Sequence, residues 1–114
     1  MYTELVLWGW SVTRPTPDND FIAQLGQRTA AAIDRLGGGT YTPQQAGSWY
    51  PANMVIEDWT YGWARTIGGF PCPAYTYEVG TTFYQPTGDL DQMQRECFDG
   101  LWVMMQHLDS VKLQ

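Results

Sequence analysis

Apolar residues change their spacing several times along this chain, and each change marks an element. Glu4-Leu5-Val6-Leu7-Trp8 is a short apolar run with β-branched and aromatic content, bounded by Gly9 and the turn-prone Arg14-Pro15-Thr16-Pro17, and it predicts a buried strand. Beyond Pro17, Asp18 or Asn19 is placed to cap a helix. Its apolar positions Phe21, Ile22, Leu25, Ala32, Ile33 and Leu36 keep a helical period as far as Gly37-Gly38-Gly39. Residues 40–56 hold Pro43, Gly47 and Pro51 without a sustained period, which predicts a long structured loop with room for one short strand. A short helix is expected over Glu57 to Ala64, then loop again from Thr66 to Pro73.

Ala74-Tyr75-Thr76-Tyr77-Glu78-Val79 alternates with period two. It places Tyr75, Tyr77 and Val79 on one face of a strand and Thr76 and Glu78 on the other. After Pro86-Thr87-Gly88, Asp89 or Asp91 is expected to cap a last helix whose inward stripe is Leu90, Met93, Cys97, Leu101, Met104 and Leu108. That stripe reads as core packing. The order strand, helix, loop, strand, helix suits an α/β sandwich with a parallel crossover. Two strands are too few for a stable sheet, so further strands are expected from a partner chain, from a dimer or from a larger parent protein.

Composition narrows the classes. A chain of 114 residues makes one domain, and twelve acidic against six basic residues, the latter scattered singly, argue against a nucleic-acid partner. No apolar run is long enough to span a bilayer, and Met1 to Trp10 lacks the basic start and cleavage site of an export signal. Six tryptophans and seven tyrosines favour a core that opens onto a cleft. Cys72 and Cys97 are in no metal-ligand spacing; they are two buried thiols or one disulfide closing a loop of about 25 residues, with the flanking Pro71 and Pro73 favouring the bond and an oxidising compartment. His107 is the single histidine and cannot by itself build a zinc site.

From Tyr50 onward the pattern becomes specific. Tyr50-Pro51-Ala52 followed by Glu57-Asp58-Trp59-Thr60-Tyr61-Gly62 resembles the mobile tyrosine loop and the acidic-Asp-Trp-x-Tyr segment of zinc carboxypeptidases of the A/B type. Tyr75-Thr76-Tyr77-Glu78-Val79 is similar to the strand that bears that family's catalytic glutamate, and Phe83-Tyr84-Gln85-Pro86 to the stretch before its final helix. Upstream, Tyr2-Thr3-Glu4-Leu5-Val6-Leu7-Trp8-Gly9-Trp10 is similar to the strand after the family's last histidine ligand. The bulkier Asn53-Met54-Val55-Ile56 departs from the family's small residues, and Trp63 to Ala74 is longer and carries Cys72.

The resemblance implies a fold and a set of roles. The fold is a partial three-layer α/β sandwich, the C-terminal half of a zinc-carboxypeptidase-like mixed sheet flanked by helices. Glu78 would be the catalytic base, taking a proton from water activated by zinc and passing it to the leaving amine. Tyr50 would close over the substrate, Glu57 with Thr76 would line a pocket for a C-terminal Lys or Arg, and Tyr2 would line the cleft on the other side of the scissile bond. Each role has a plainer alternative: Glu78 as a surface carboxylate, Tyr50 as an aromatic plug, Glu57 as an acid stabilising a helix N-terminus. By the same resemblance the His-x-x-Glu pair, the last histidine and the carboxylate-gripping arginines lie before Met1. Zinc and its ligands would then come from a missing N-terminal half, and the isolated chain would not hydrolyse peptides. The parent enzyme would be secreted or extracellular. The alternative is a non-catalytic truncated relative or interaction module that self-associates through open strand edges.

Overall fold

The computed structural model describes residues 3–10, 14–34, 40–49 and 55–108. Strand β1 is Leu5–Trp8, helix α1 Asn19–Asp34, strand β2 Thr42–Gln45, and a single turn α2 Ala46–Trp49. Helix α3, Ile56–Trp63, runs on into a π-helical turn over Ala64–Gly68; strand β3 is Tyr75–Glu78 and helix α4 Thr87–Leu108. The sheet has the order β2-β1-β3, with β1 parallel to β2 and antiparallel to β3. β1, α1 and β2 form a parallel crossover, whereas the one expected from the sequence ran from β1 to the Tyr75–Glu78 strand, which pairs antiparallel with β1 instead. The third strand, β2, is the short strand for which the 40–56 segment had room, and with β3 antiparallel the sheet is mixed.

The two faces of β1 receive different cover. Val6 packs with Ala30, Ile33 and Tyr41, against which Tyr75, Tyr77 and Val79 also lie. Trp8 packs with Ile22 and Tyr61. This is the face under α1 and α4, and its centre is dry: Val6 is 0% and Ile33 1% exposed. The opposite face carries Leu5 and Leu7 with Ala46 of α2. Alternation along β1 and β3 produces that division without help from loops.

Helix α1 starts where expected. The Asp18 carbonyl accepts from Ile22 N–H, and Asn19 turns its side-chain oxygen to the Trp8 indole N–H at 3.4 Å. Leu36 and the three glycines after it lie outside the described residues. Helix α4 starts two residues before Asp89, with Pro86 O accepting from Asp89 N–H at 2.9 Å, so Asp89 and Asp91 are helical residues and not caps. Its inward face is also rotated from the expected stripe. Glu96 and Gly100 are buried and Met93, Cys97 and Met104 half-buried, whereas Leu90 and Leu101 are 42% and 54% exposed. Gly100 sets the phase: a Cβ there would come within 3.0 Å of the Tyr77 ring and 3.2 Å of Thr29. The Leu108 side chain is outside the described residues.

Inward rotation brings Glu96 to Tyr41, whose hydroxyl donates to its carboxylate at 2.8 Å; Gln92 donates to the other oxygen at 3.0 Å. Burial first, and then this acceptor, push the Tyr41 phenol well above its ordinary range. The outward face of α4 carries Phe98, Leu101, Trp102 and Met105, all largely exposed. Cys72 and Cys97 are free thiols, which overturns the expected disulfide.

Candidate active site

The site is built on the face of the sheet turned away from α1. In the antiparallel ladder Leu5 stands opposite Glu78 and Leu7 opposite Thr76, so Thr76 and Glu78 share the Leu5–Leu7 face. The period-two reading of this strand is correct. Helix α3 crosses the end of β1 and serves both faces: Tyr61 joins Trp8 and Ile22, while Glu57, one turn earlier, meets β3. The Thr76 hydroxyl donates to Glu57 Oε2 at 3.0 Å, and Glu57 is only 4% exposed. The helix-dipole alternative alone would leave Glu57 in water.

Its neighbour Asp58 takes a separate task. Trp10 N–H donates to Asp58 Oδ1 at 2.6 Å, and Trp10 itself adopts a left-handed backbone with φ 69°. Gly9 is what permits the approach, because a Cβ there would lie 2.6 Å from Asp58 Oδ1 and 3.1 Å from its backbone nitrogen. The end of β1 thus clamps the first turn of α3 and fixes where Glu57 points. On the other side of α3, the Tyr61 hydroxyl donates to Asp18 Oδ2 at 2.6 Å, and Arg65 pairs with the same oxygen at 3.6 Å. Burial, then the Asp18 acceptor, raise the Tyr61 phenol.

Glu78 is 7% exposed and accepts from the Thr3 hydroxyl at 3.1 Å. Both chains leave the ladder beside it, β1 through Glu4 at φ 48° and β3 through Gly80 at φ 82°. A recess of ≈ 150 Å³ opens at that end, lined by Glu4, Gly80, Gln85, Asp89 and Glu96 among others. A wider recess, ≈ 1010 Å³, runs along α4 between Gly88 and Asp99 and contains none of the candidate residues. It is lined by one helix alone, which makes it open surface. Size is therefore a poor guide here, and the side chains locate the site.

Of the residues singled out from the sequence, Glu57, Thr76 and Glu78 come together on one face. Tyr50 and Tyr2 lie outside the described residues. Thr3 was missed, because its role depends on the left-handed turn at Glu4, and no composition or period signals a positive φ at a glutamate. His107 sits in the last turn of α4 with its ring Nδ1 2.8 Å from the Val103 carbonyl.

Chemically, the face offers two buried carboxylates, each aligned by a threonine hydroxyl. Groups of this kind move protons or hold a cation. The fold and the site together define an α/β protein with a carboxylate-based candidate site. The chain belongs to the zinc carboxypeptidase family, whose profile matches residues 1–100. No curated protein matches it. Zinc in this family's complete enzymes calls for at least three protein ligands. Among the described residues no group of three or more His, Cys, Asp or Glu is arranged to hold a metal ion. The described residues do not fit a zinc site.

Proposed function

We propose that this chain is the C-terminal half of an A/B-type metallocarboxypeptidase, which releases single C-terminal amino acids from peptides. The observation that carries the reading is the shared face of Glu57, Thr76 and Glu78. Glu78 would accept the proton of the attacking water and return it to the leaving amine, a role that suits a carboxylate held in one orientation. Glu57, buried at the N-terminus of α3 with Thr76 beside it, would receive a cationic side chain such as C-terminal Lys or Arg. Tyr50 as a lid and Tyr2 as a cleft residue rest on sequence resemblance alone. The metal would be held by polypeptide other than the residues described, and a secreted or extracellular setting rests on the same resemblance.

The test combines the chain with zinc and a polypeptide that carries the family's His-x-x-Glu and last histidine. Turnover of a C-terminal reporter peptide is expected only from the combination, and Glu78→Gln abolishes it. Turnover by the chain alone, or turnover that survives Glu78→Gln, overturns the reading. A second reading, a self-associating module without catalysis, is favoured by two observations: among the described residues β2 and β3 each pair with β1 alone, and the outer face of α4 is apolar. Sedimentation equilibrium decides it, since a monomer across the accessible concentration range excludes the module.

A further inference from the structure

The backbone beside Glu78 is arranged around a residue that the family reading does not use. Had β1 continued as an extended strand, Thr3 would stand diagonal to Glu78, about 7–8 Å away across the ladder, a gap that the long Glu78 side chain would have to close. The chain instead turns at Glu4, whose φ of 48° is uncommon for a residue with a Cβ. That turn is held from the side, because the Glu4 carbonyl accepts from Thr42 N–H at 2.9 Å at the edge of β2. With the chain turned in this way, the Thr3 hydroxyl donates to Glu78 Oε2 at 3.1 Å. Strain of this kind persists only where the surroundings fix it, and the inference runs from the outlier to the function.

We infer that Thr3 is a positioning residue for Glu78: its hydroxyl donates to one carboxylate oxygen, Oε2, and leaves Oε1 to take the proton. The inference rests on the proposed role of Glu78 as base. The arrangement sets which oxygen is available and stops rotation of the carboxylate. Glu78 is 7% exposed while Thr3 itself stands at the surface, so the contact holds the carboxylate at the rim of the buried face. A serine in place of Thr3 keeps the donor, whereas a valine keeps the shape and loses it.

The experiment uses the full chain with ¹³C-labelled glutamate, the Glu78 carboxyl signal being assigned by its loss in Glu78→Gln. Thr3→Val is expected to move that signal while the Glu57 and Glu96 signals stay in place, and Thr3→Ser to return it. A Glu78 signal unmoved in Thr3→Val overturns the inference; matched thermal unfolding of the variants keeps a folding defect from imitating it. In the zinc-supplied combination, Thr3→Val lowers kcat by about 10- to 100-fold with little change in KM, as expected when a base is misaligned. An unchanged kcat in Thr3→Val, where Glu78→Gln is inactive, overturns the assignment of Thr3 and leaves that of Glu78 standing. Full turnover in Glu78→Gln overturns both.

Discussion

Thr76 and Glu57 are joined across two elements, the strand residue donating to the helix residue at 3.0 Å on the face that also bears Glu78. The contact ties the first turn of α3 to β3. It also makes Glu57 dependent on a neutral donor, because a carboxylate 4% exposed has little water to turn to.

Thr76→Val removes that donor without changing the shape. A loss of about 1–3 kcal/mol is expected in urea unfolding, the cost of leaving a buried acceptor unpaired. Thr76→Ser should recover most of it. Glu57→Leu is expected to be tolerated in stability, and, under the proposed pocket role of Glu57, to turn the preference of the zinc-supplied combination from C-terminal Arg towards C-terminal Leu, read by competition between the two peptides.

Clamping of α3 by β1 is tested at Gly9. A Cβ at this position meets Asp58 Oδ1 at 2.6 Å and backbone atoms at 3.1 and 3.2 Å, so Gly9→Ala must displace helix backbone and not only a side chain. A cost of about 1–3 kcal/mol is expected. Asp58→Ala relieves the shortest contact but frees the Trp10 N–H. The double variant is therefore expected to fall short of additivity, and a double-mutant cycle measures the coupling.

Alkaline pH should unfold this protein by a specific route. Burial is the first cause raising the phenols of Tyr41, Tyr75 and Tyr77, followed by Glu96 for Tyr41 and by Tyr77 for Tyr75. In the unfolded chain each ionises near its ordinary value of 10.0, and in the folded chain only at higher pH. Above about pH 10 the unfolded state binds fewer protons, so stability falls as pH rises; below it the contribution is intact. Each phenol adds up to about 1.4 kcal/mol per pH unit to that fall. Urea midpoints measured from pH 8 to 12 together with tyrosinate absorbance check this, and Tyr75→Phe should flatten the slope.

The two sides of α4 separate in a pair of variants. Met104 touches the Tyr77 hydroxyl through its sulfur at 3.4 Å, and Met104→Ala is expected to cost about 2 kcal/mol or more in thermal unfolding. Leu101→Gln, on a residue 54% exposed, should change stability by less than about 0.5 kcal/mol.

What could be read in advance follows from how local each cause is. Two strand positions apart means one face, so Thr76 and Glu78 were placed together by alternation alone. Strand β2, Thr-Pro-Gln-Gln, offered no such signal: its residues are polar, it contains Pro43, and it exists because β1 presents a parallel edge to it. The phase of α4 was misjudged because Phe98, Leu101, Trp102 and Met105 make its apolar surface wider than one stripe. The inward side is chosen by Gly100 against Tyr77 and by Glu96 against Tyr41, contacts made across 23 and 55 residues of chain. Thr3 depends on a single dihedral angle. Causes that span the fold, or reside in one torsion, leave no mark in spacing.

The outer wall of α4 also governs how the protein behaves in a tube. With a net charge of −6, neighbouring molecules repel one another at neutral pH and keep their greasy ridges apart. Acidification titrates away the repulsion while the ridge, which has no ionisable group in Phe98, Leu101, Trp102 or Met105, is unchanged. Clouding of a concentrated sample as carboxylates take up protons near pH 4 is then the ridge finding its own copies.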